Sequence, residues 1–210
     1  MKIKSPQIWI VDFGSQYTQL IVRTFRELGY FAELIVVDDA VARLQKGVKP
    51  KALVLSGGPS SVFQDKTDFS WFFKDKEIAV LGICYGMQIM AHALGGKVTK
   101  GDQGEYGRAV INHKVQILDA TLKESVVWMS HFDQVQSVPK DFKVLFESDA
   151  KVIAGIQHNS APWVGLQFHP EVNHTERGRD FLKYFIKLAG NLEIDWQNDF
   201  QLSKSNLLTA

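Results

Sequence analysis

The sequence predicts an α/β fold: an open, mainly parallel central sheet flanked by helices, with antiparallel hairpins added in its second half. Three observations carry this. The first hundred residues alternate short Ile/Val/Leu runs with stretches of helical spacing. From Lys97 onward the period changes to the two-residue alternation of strands that show one face to solvent. The last clear element, from Phe181 to Ala189, is again helical.

In chain order, Gln7 to Asp12 reads as a first strand, and Tyr17, Leu20, Ile21, Thr24, Phe25 and Leu28 recur at helical spacing until Gly29 stops them. Phe31 to Val37 reads as a second strand, Asp39 to Gln45 as a short helix with Val41 and Leu44 inward, and Ala52 to Leu55 as a third strand. Ile78 to Ile83 is a fourth, apolar enough to be buried on both faces, and Tyr85 to Leu94 a helix. The alternating segments Val115–Leu118, Val126–Met129, Lys143–Phe146, Val152–Ile156 and Trp163–Phe168 predict hairpins and meanders. Thr175 is the expected N-cap of the final helix and Gly190 its stop. Residues 1–190 are read as one domain and 191–210 as a tail or linker, with Leu192, Ile194, Trp196 and Phe200 able to dock on a surface.

Composition narrows the function. Lys plus Arg number 24 and Asp plus Glu 23, a formal net charge of +1, so no global field recruits nucleic acid or an anionic membrane. With one cysteine in 210 residues there is no internal disulfide, and Met1 to Pro6 lacks a signal-peptide apolar core, so the expected location is cytoplasmic. No apolar run approaches the roughly 20 residues needed to span a bilayer. A small-molecule substrate is expected.

The single cysteine, Cys84, stands where the fourth strand meets its helix. A lone cysteine is ordinarily a small buried hydrophobe, but Gly82 and Gly86 lie two residues to either side. They remove side chains that would collide in a sharp strand-to-helix turn, the logic of G-x-S-x-G with sulfur in place of oxygen. There the positive end of a helix dipole and free amide N–H groups await developing negative charge. His169-Pro170-Glu171 follows another apolar strand. Pro170 makes its predecessor extended, so His169 and Glu171 share a face; Glu171 can hold one imidazole nitrogen while the other addresses Cys84. Ser56-Gly57-Gly58-Pro59 closes the third strand at the carboxyl edge, where open α/β sheets bind ligands.

Competing uses of these residues fit less well. Zinc sites want clustered ligands, and neither C-x₂-C nor H-E-x-x-H occurs; no metal is expected. The loop Ser56 to Ser61 is a poor phosphate nest, because Pro59 lacks an N–H. His92 is expected to be packed, and His113, His158 and His174 to be surface or loop residues.

With these residues assembled, the chain resembles a class I (triad type) glutamine amidotransferase domain, of flavodoxin-like fold, and most closely the N-terminal glutaminase domain of GMP synthetases. The resemblance runs to about Gly190. It rests on Gly82-Ile83-Cys84-Tyr85-Gly86-Met87-Gln88, Leu55 to Pro59 and Gln167 to Val172; the subgroup rests on Asp12-Phe13-Gly14-Ser15-Gln16-Tyr17, Glu105 to Ala109 and Trp128 to His131. It implies that Cys84 is the nucleophile, His169 the general base and acid, and Glu171 its orienter. It further implies an oxyanion hole from the N–H groups of Gly58 and Tyr85, and a glutamine grip by Gln88 and backbone groups of Ser130, His131 and Phe132. Phe132 departs from the Ser-His-Gly-Asp of GMP synthetases and would be strained if that glycine needs positive φ.

The activity implied is hydrolysis of L-glutamine to glutamate and ammonia. The ammonia would pass to a partner domain or subunit, an ATP pyrophosphatase (synthetase) that aminates XMP to GMP. No cofactor is expected in this chain; ATP and Mg belong to that partner. Alternative readings are a glutaminase for anthranilate, carbamoyl phosphate or CTP synthesis, or a catalytically weak glutamine-sensing module.

Overall fold

The structure is a computed structural model that describes residues 6–65, 67–117 and 123–196. Its elements are β1 (Ile8–Asp12), α1 (Thr18–Glu27), β2 (Ala32–Val36), α2 (Val37–Gln45), β3 (Ala52–Leu55), a 3₁₀ turn (Phe69–Phe73), β4 (Ala79–Ile83) and α3 (Tyr85–Ala93). They continue with β5 (Lys97–His113), β6 (Glu124–Ser137), β7 (Phe142–Ser148), β8 (Ile153–His158), β9 (Trp163–Leu166) and α4 (Gly178–Ala189). Among the described residues the strands form one sheet in the order β2-β1-β3-β4-β9-β8-β7-β5-β6. The half from β2 to β9 is parallel, and the pairings from β9 to β6 are antiparallel.

Alternation along the parallel strands sends side chains to two cores. Ile8, Ile10, Val54 and Leu81 face α1 and α4, meeting Ile21, Phe25, Phe181 and Phe185. Trp9, Val11, Leu53 and Val80 face α2, α3 and the 3₁₀ turn, meeting Leu44, Met87 and Phe72. Burial on both faces is why these strands read as continuous apolar runs rather than alternating ones. Among the described residues no helix is long and apolar enough to cross a membrane.

Five expectations are corrected. His92, expected to be packed, is exposed in the last turn of α3, and His113, expected on the surface or in a loop, is partly buried in β5. Val115 to Ile117 form bends after β5 rather than a strand; Leu118 lies outside the described residues. Thr175 does not cap α4. That helix starts after Arg177, itself at φ 58° with no side-chain cap, while the Thr175 hydroxyl donates to the His169 carbonyl and accepts from the Trp128 amide. His158 is buried, its Nδ1 accepting the amides of Ser160 and Ala161. Gly190 does end α4, at φ 70°.

Residues 191–196 lie along the α1–β2 edge. Gln7 and Glu193 exchange two hydrogen bonds, the Asp195 and Trp196 amides donate to the Gly29 carbonyl, and Trp196 stacks on Phe31 with Arg26 across its ring. Phe200 lies outside the described residues.

Candidate active site

The turn from β4 into α3 is tight because backbone meets backbone. A Cβ added to Gly82 would lie 2.6 Å from the Gly86 carbonyl carbon, and one added to Gly86 would collide with the Leu55 carbonyl. Cys84, between them, adopts φ 51° and ψ −106°, a conformation that L residues hold only when their surroundings enforce it. Enforcement comes from its amide, bonded to the Leu166 carbonyl at 2.7 Å, and its carbonyl, which accepts from Met87 and Gln88.

β4 and β9 are parallel neighbours, so the segment leaving β9 arrives beside the elbow. His169 and Glu171 are both buried there, and His169 Nδ1–H donates to Glu171 Oε1 at 2.7 Å. On its other side the ring lies beside Cys84, both side chains flanking Gly57. Burial alone would lower the basicity of His169, but its interactions with Cys84 and Glu171 outweigh it and push the imidazole up to about 10. His169 therefore holds its proton at neutral pH. Gly57 is the third neighbour: a Cβ there would come 3.0 Å from His169 Cε1 and 3.6 Å from Cys84 Cβ.

A cleft of about 330 Å³ opens on this point, with Cys84, Tyr85, Gly58, Gln88 and the Ser130–Asp133 stretch of β6 on its walls. The amides of Gly58 and Tyr85 donate to no backbone carbonyl among the described residues. Gln88 is buried and donates through Nε2 to the Asp133 carbonyl at 2.7 Å. The Cys84 thiol reaches the Ser130 carbonyl at 3.6 Å. His131 is bonded through both ring nitrogens, to the Asp133 carbonyl and to Glu105. Phe132 is half exposed and escapes the strain foreseen for it: among the described residues the non-glycine residues with positive φ are Cys84, Lys151 and Arg177. All nine sequence-predicted residues thus gather at one place: seven line the cleft, and His169 and Glu171 stand behind Cys84.

A family model for glutamine amidotransferase class-I matches residues 9–188. The chain belongs to the class-I glutamine amidotransferase family. Relatives of this amidotransferase include the GMP synthase [glutamine-hydrolyzing] of Thermosipho africanus, 42% identical over 94% of this chain and 39% of that protein. That of Staphylococcus aureus is 43% identical over 90% of this chain and 37% of that protein. The chain thus spans about two fifths of the curated relatives it matches. A solved structure from Thermoplasma acidophilum, described as a GMP synthase subunit, is 31% identical with a TM-score of 0.77, covering 87% of this chain and 93% of that one. A glutamine amidotransferase from Thermotoga maritima, at 22% identity and TM-score 0.59 over 87% of this chain and 84% of that one, shares the fold.

Around the cleft the structure adds residues that the sequence did not place at the site. Tyr17 sets its ring edge-on to His169, centroids 5.2 Å apart, at the end of the Asp12–Tyr17 run singled out only for its resemblance. Asp12 Oδ1 holds that loop through Gly14 and Thr18. Thr175 anchors the backbone of His169. Ser61 donates to Asp133 Oδ2 at 2.5 Å, tying the loop after β3 to β6.

Proposed function

We propose that this amidotransferase is the glutaminase part of a GMP synthetase, acting on L-glutamine with Cys84, His169 and Glu171. The observation that carries the reading is His169, bonded to Glu171, standing with Cys84 against Gly57 beside the cleft. Cys84 attacks the side-chain carbonyl carbon of glutamine as thiolate, forming a C–S bond, with the oxyanion directed at the Gly58 and Tyr85 amides; each such donor is typically worth about 10²–10³ in rate. His169, protonated and oriented by Glu171, gives its proton to the departing nitrogen, and the C–N bond breaks to release ammonia. The same imidazole then takes a proton from water, which adds to the γ-glutamyl thioester. Glutamate leaves as the C–S bond breaks, and Cys84 is regenerated. Gln88 and the backbone of Ser130, His131 and Phe132 grip the glutamine.

The names of the relatives support the acceptor. Ammonia passes to an ATP pyrophosphatase domain or subunit that carries ATP and Mg and converts XMP to GMP, in the cytoplasm; this chain uses no cofactor of its own.

The test is glutamate release by the chain alone and with a GMP-forming synthetase added, together with GMP formation by the assembled enzyme. Cys84→Ala is expected to abolish glutamine-dependent GMP formation, by at least about 10⁴-fold as for removal of a covalent nucleophile, while formation from ammonium salts survives. Loss of both activities would sink the division of labour, and activation by a different synthetase would sink the acceptor.

A further inference from the structure

The ring of His131 makes two hydrogen bonds, and both partners are acceptors. Nδ1 faces the Asp133 carbonyl and Nε2 faces Glu105 Oε2, each at 3.1 Å. The other Glu105 oxygen accepts from the Ser148 hydroxyl at 2.8 Å. A neutral imidazole has one N–H and could serve one of those acceptors, leaving the second nitrogen lone pair against an oxygen lone pair. Only a ring with two N–H donors satisfies both acceptors. Glu105 is the anion: burial draws its carboxyl upward, but the hydrogen bonds from His131 and Ser148 outweigh that and hold it below the ordinary glutamate value.

The pair sits where β6 has the least other support. The β5–β6 register jumps from Lys100↔Asp133 to Glu105↔His131, so four residues of β5 oppose Phe132 alone. This lapse in the ladder falls within the stretch whose carbonyls engage Cys84 and Gln88. Among the described residues, the remaining titratable groups bordering the cleft are Cys84, Tyr85, Tyr106 and Asp133, and Asp133 is turned to Ser61.

We propose that Glu105 is a positioning residue of the glutamine cleft: it holds His131 as an imidazolium, and that ion pair fixes the backbone from Ser130 to Asp133 where glutamine is gripped. The functional half of this rests on the glutaminase reading; the protonation half does not.

NMR of the wild-type chain with ¹⁵N-labelled histidine at pH 7, the His131 signals assigned by their loss in His131→Gln, is expected to show protons on both ring nitrogens. A single-tautomer neutral ring would overturn the proposal. Glu105→Gln keeps shape but removes the charge that holds the second proton. It should raise KM for glutamine roughly tenfold, the change expected for one charge-assisted hydrogen bond, with kcat within about twofold. Ser148→Ala, a milder change that leaves the carboxylate in place, should move KM in the same direction by roughly twofold and keeps the test available if Glu105→Gln does not fold. Variants that only melt earlier, with KM unchanged, would reduce the pair to a structural brace and overturn the proposal. Absence of glutamate release by wild type would strike the glutaminase reading and leave the NMR result standing.

Discussion

The two walls of the cleft are built by opposite means. On the Cys84 side, the structure is held by backbone touching backbone, Gly82 against Gly86 and Gly86 against Leu55, with Gly57 close against the His169 ring. On the β6 side, where the ladder with β5 lapses, position is held by side chains, Gln88, Ser61 and His131 all reaching Asp133. The first wall leaves no room for change, and the second can be retuned one hydrogen bond at a time. That division matches what each wall must do. On the function proposed above, a nucleophile and its acid–base partner have to stay within tenths of an ångström of a reactive geometry, whereas a substrate grip tolerates adjustment. It also places the backbone strain at Cys84, where the surroundings over-determine it.

The sharpest way to break this contrast is to put a methyl group into the rigid wall. Gly86→Ala forces a Cβ into the Leu55 carbonyl, and β3 and α3 must separate to admit it. Overpacking of this kind costs typically 1–3 kcal/mol and more where backbone is the obstacle, so a loss of about 3 kcal/mol is expected in urea unfolding, with glutamine hydrolysis lost as the elbow opens. If the variant keeps wild-type stability and turnover, the glycines are not what holds Cys84, and the account of that wall fails.

How much of this was legible beforehand differs between the walls. Cys84, Gly82 and Gly86 could be read because close backbone approach leaves its mark within five consecutive residues, and His169 and Glu171 because Pro170 fixes their spacing. The parallel strands were legible for the same local reason, being buried on both faces. The β6 wall depends on pairings between residues far apart in sequence. Glu105 meets His131 through an irregular register, and Ser61 meets Asp133 across 72 positions; no local pattern encodes either. Thr175 shows the converse. It has the right chemistry for a cap and the right place before α4, yet its hydroxyl is claimed by His169 and Trp128, a tertiary demand that outranks the local preference.

A second, smaller effect sharpens the rigid wall through pH. The ordinary histidine value is near 6.5, and His169 in the native state is pushed up to about 10. A raised native value means that the folded protein retains a proton the unfolded chain sheds. The resulting stabilisation is full below about 6.5 and disappears as pH rises through about 10. Urea midpoints of the wild type should therefore fall between pH 7 and 10, by at most about 1.4 kcal/mol per pH unit from this group. In His169→Gln that part of the slope should vanish. A slope unchanged by the substitution would mean that His169 is not held as imidazolium by Cys84 and Glu171.

The smallest effect belongs to the adaptable wall. Phe132 occupies a position where the GMP synthetase pattern has glycine, and a glycine there would matter if the backbone needed positive φ. It does not: Phe132 lies within β6 with ordinary strand geometry. It has no paired residue across on β5, and, half exposed, it lines the cleft along with Tyr106 and Cys84. Replacing it by glycine relieves no strain and removes a side chain suited to a strand, so Phe132→Gly should cost about 0.5–1 kcal/mol of stability and leave KM for glutamine within about twofold. Steady-state kinetics of the two proteins decide the matter. A tenfold fall in KM would show the phenyl ring obstructing substrate, and the wall described as adaptable would have to be regarded as partly closed.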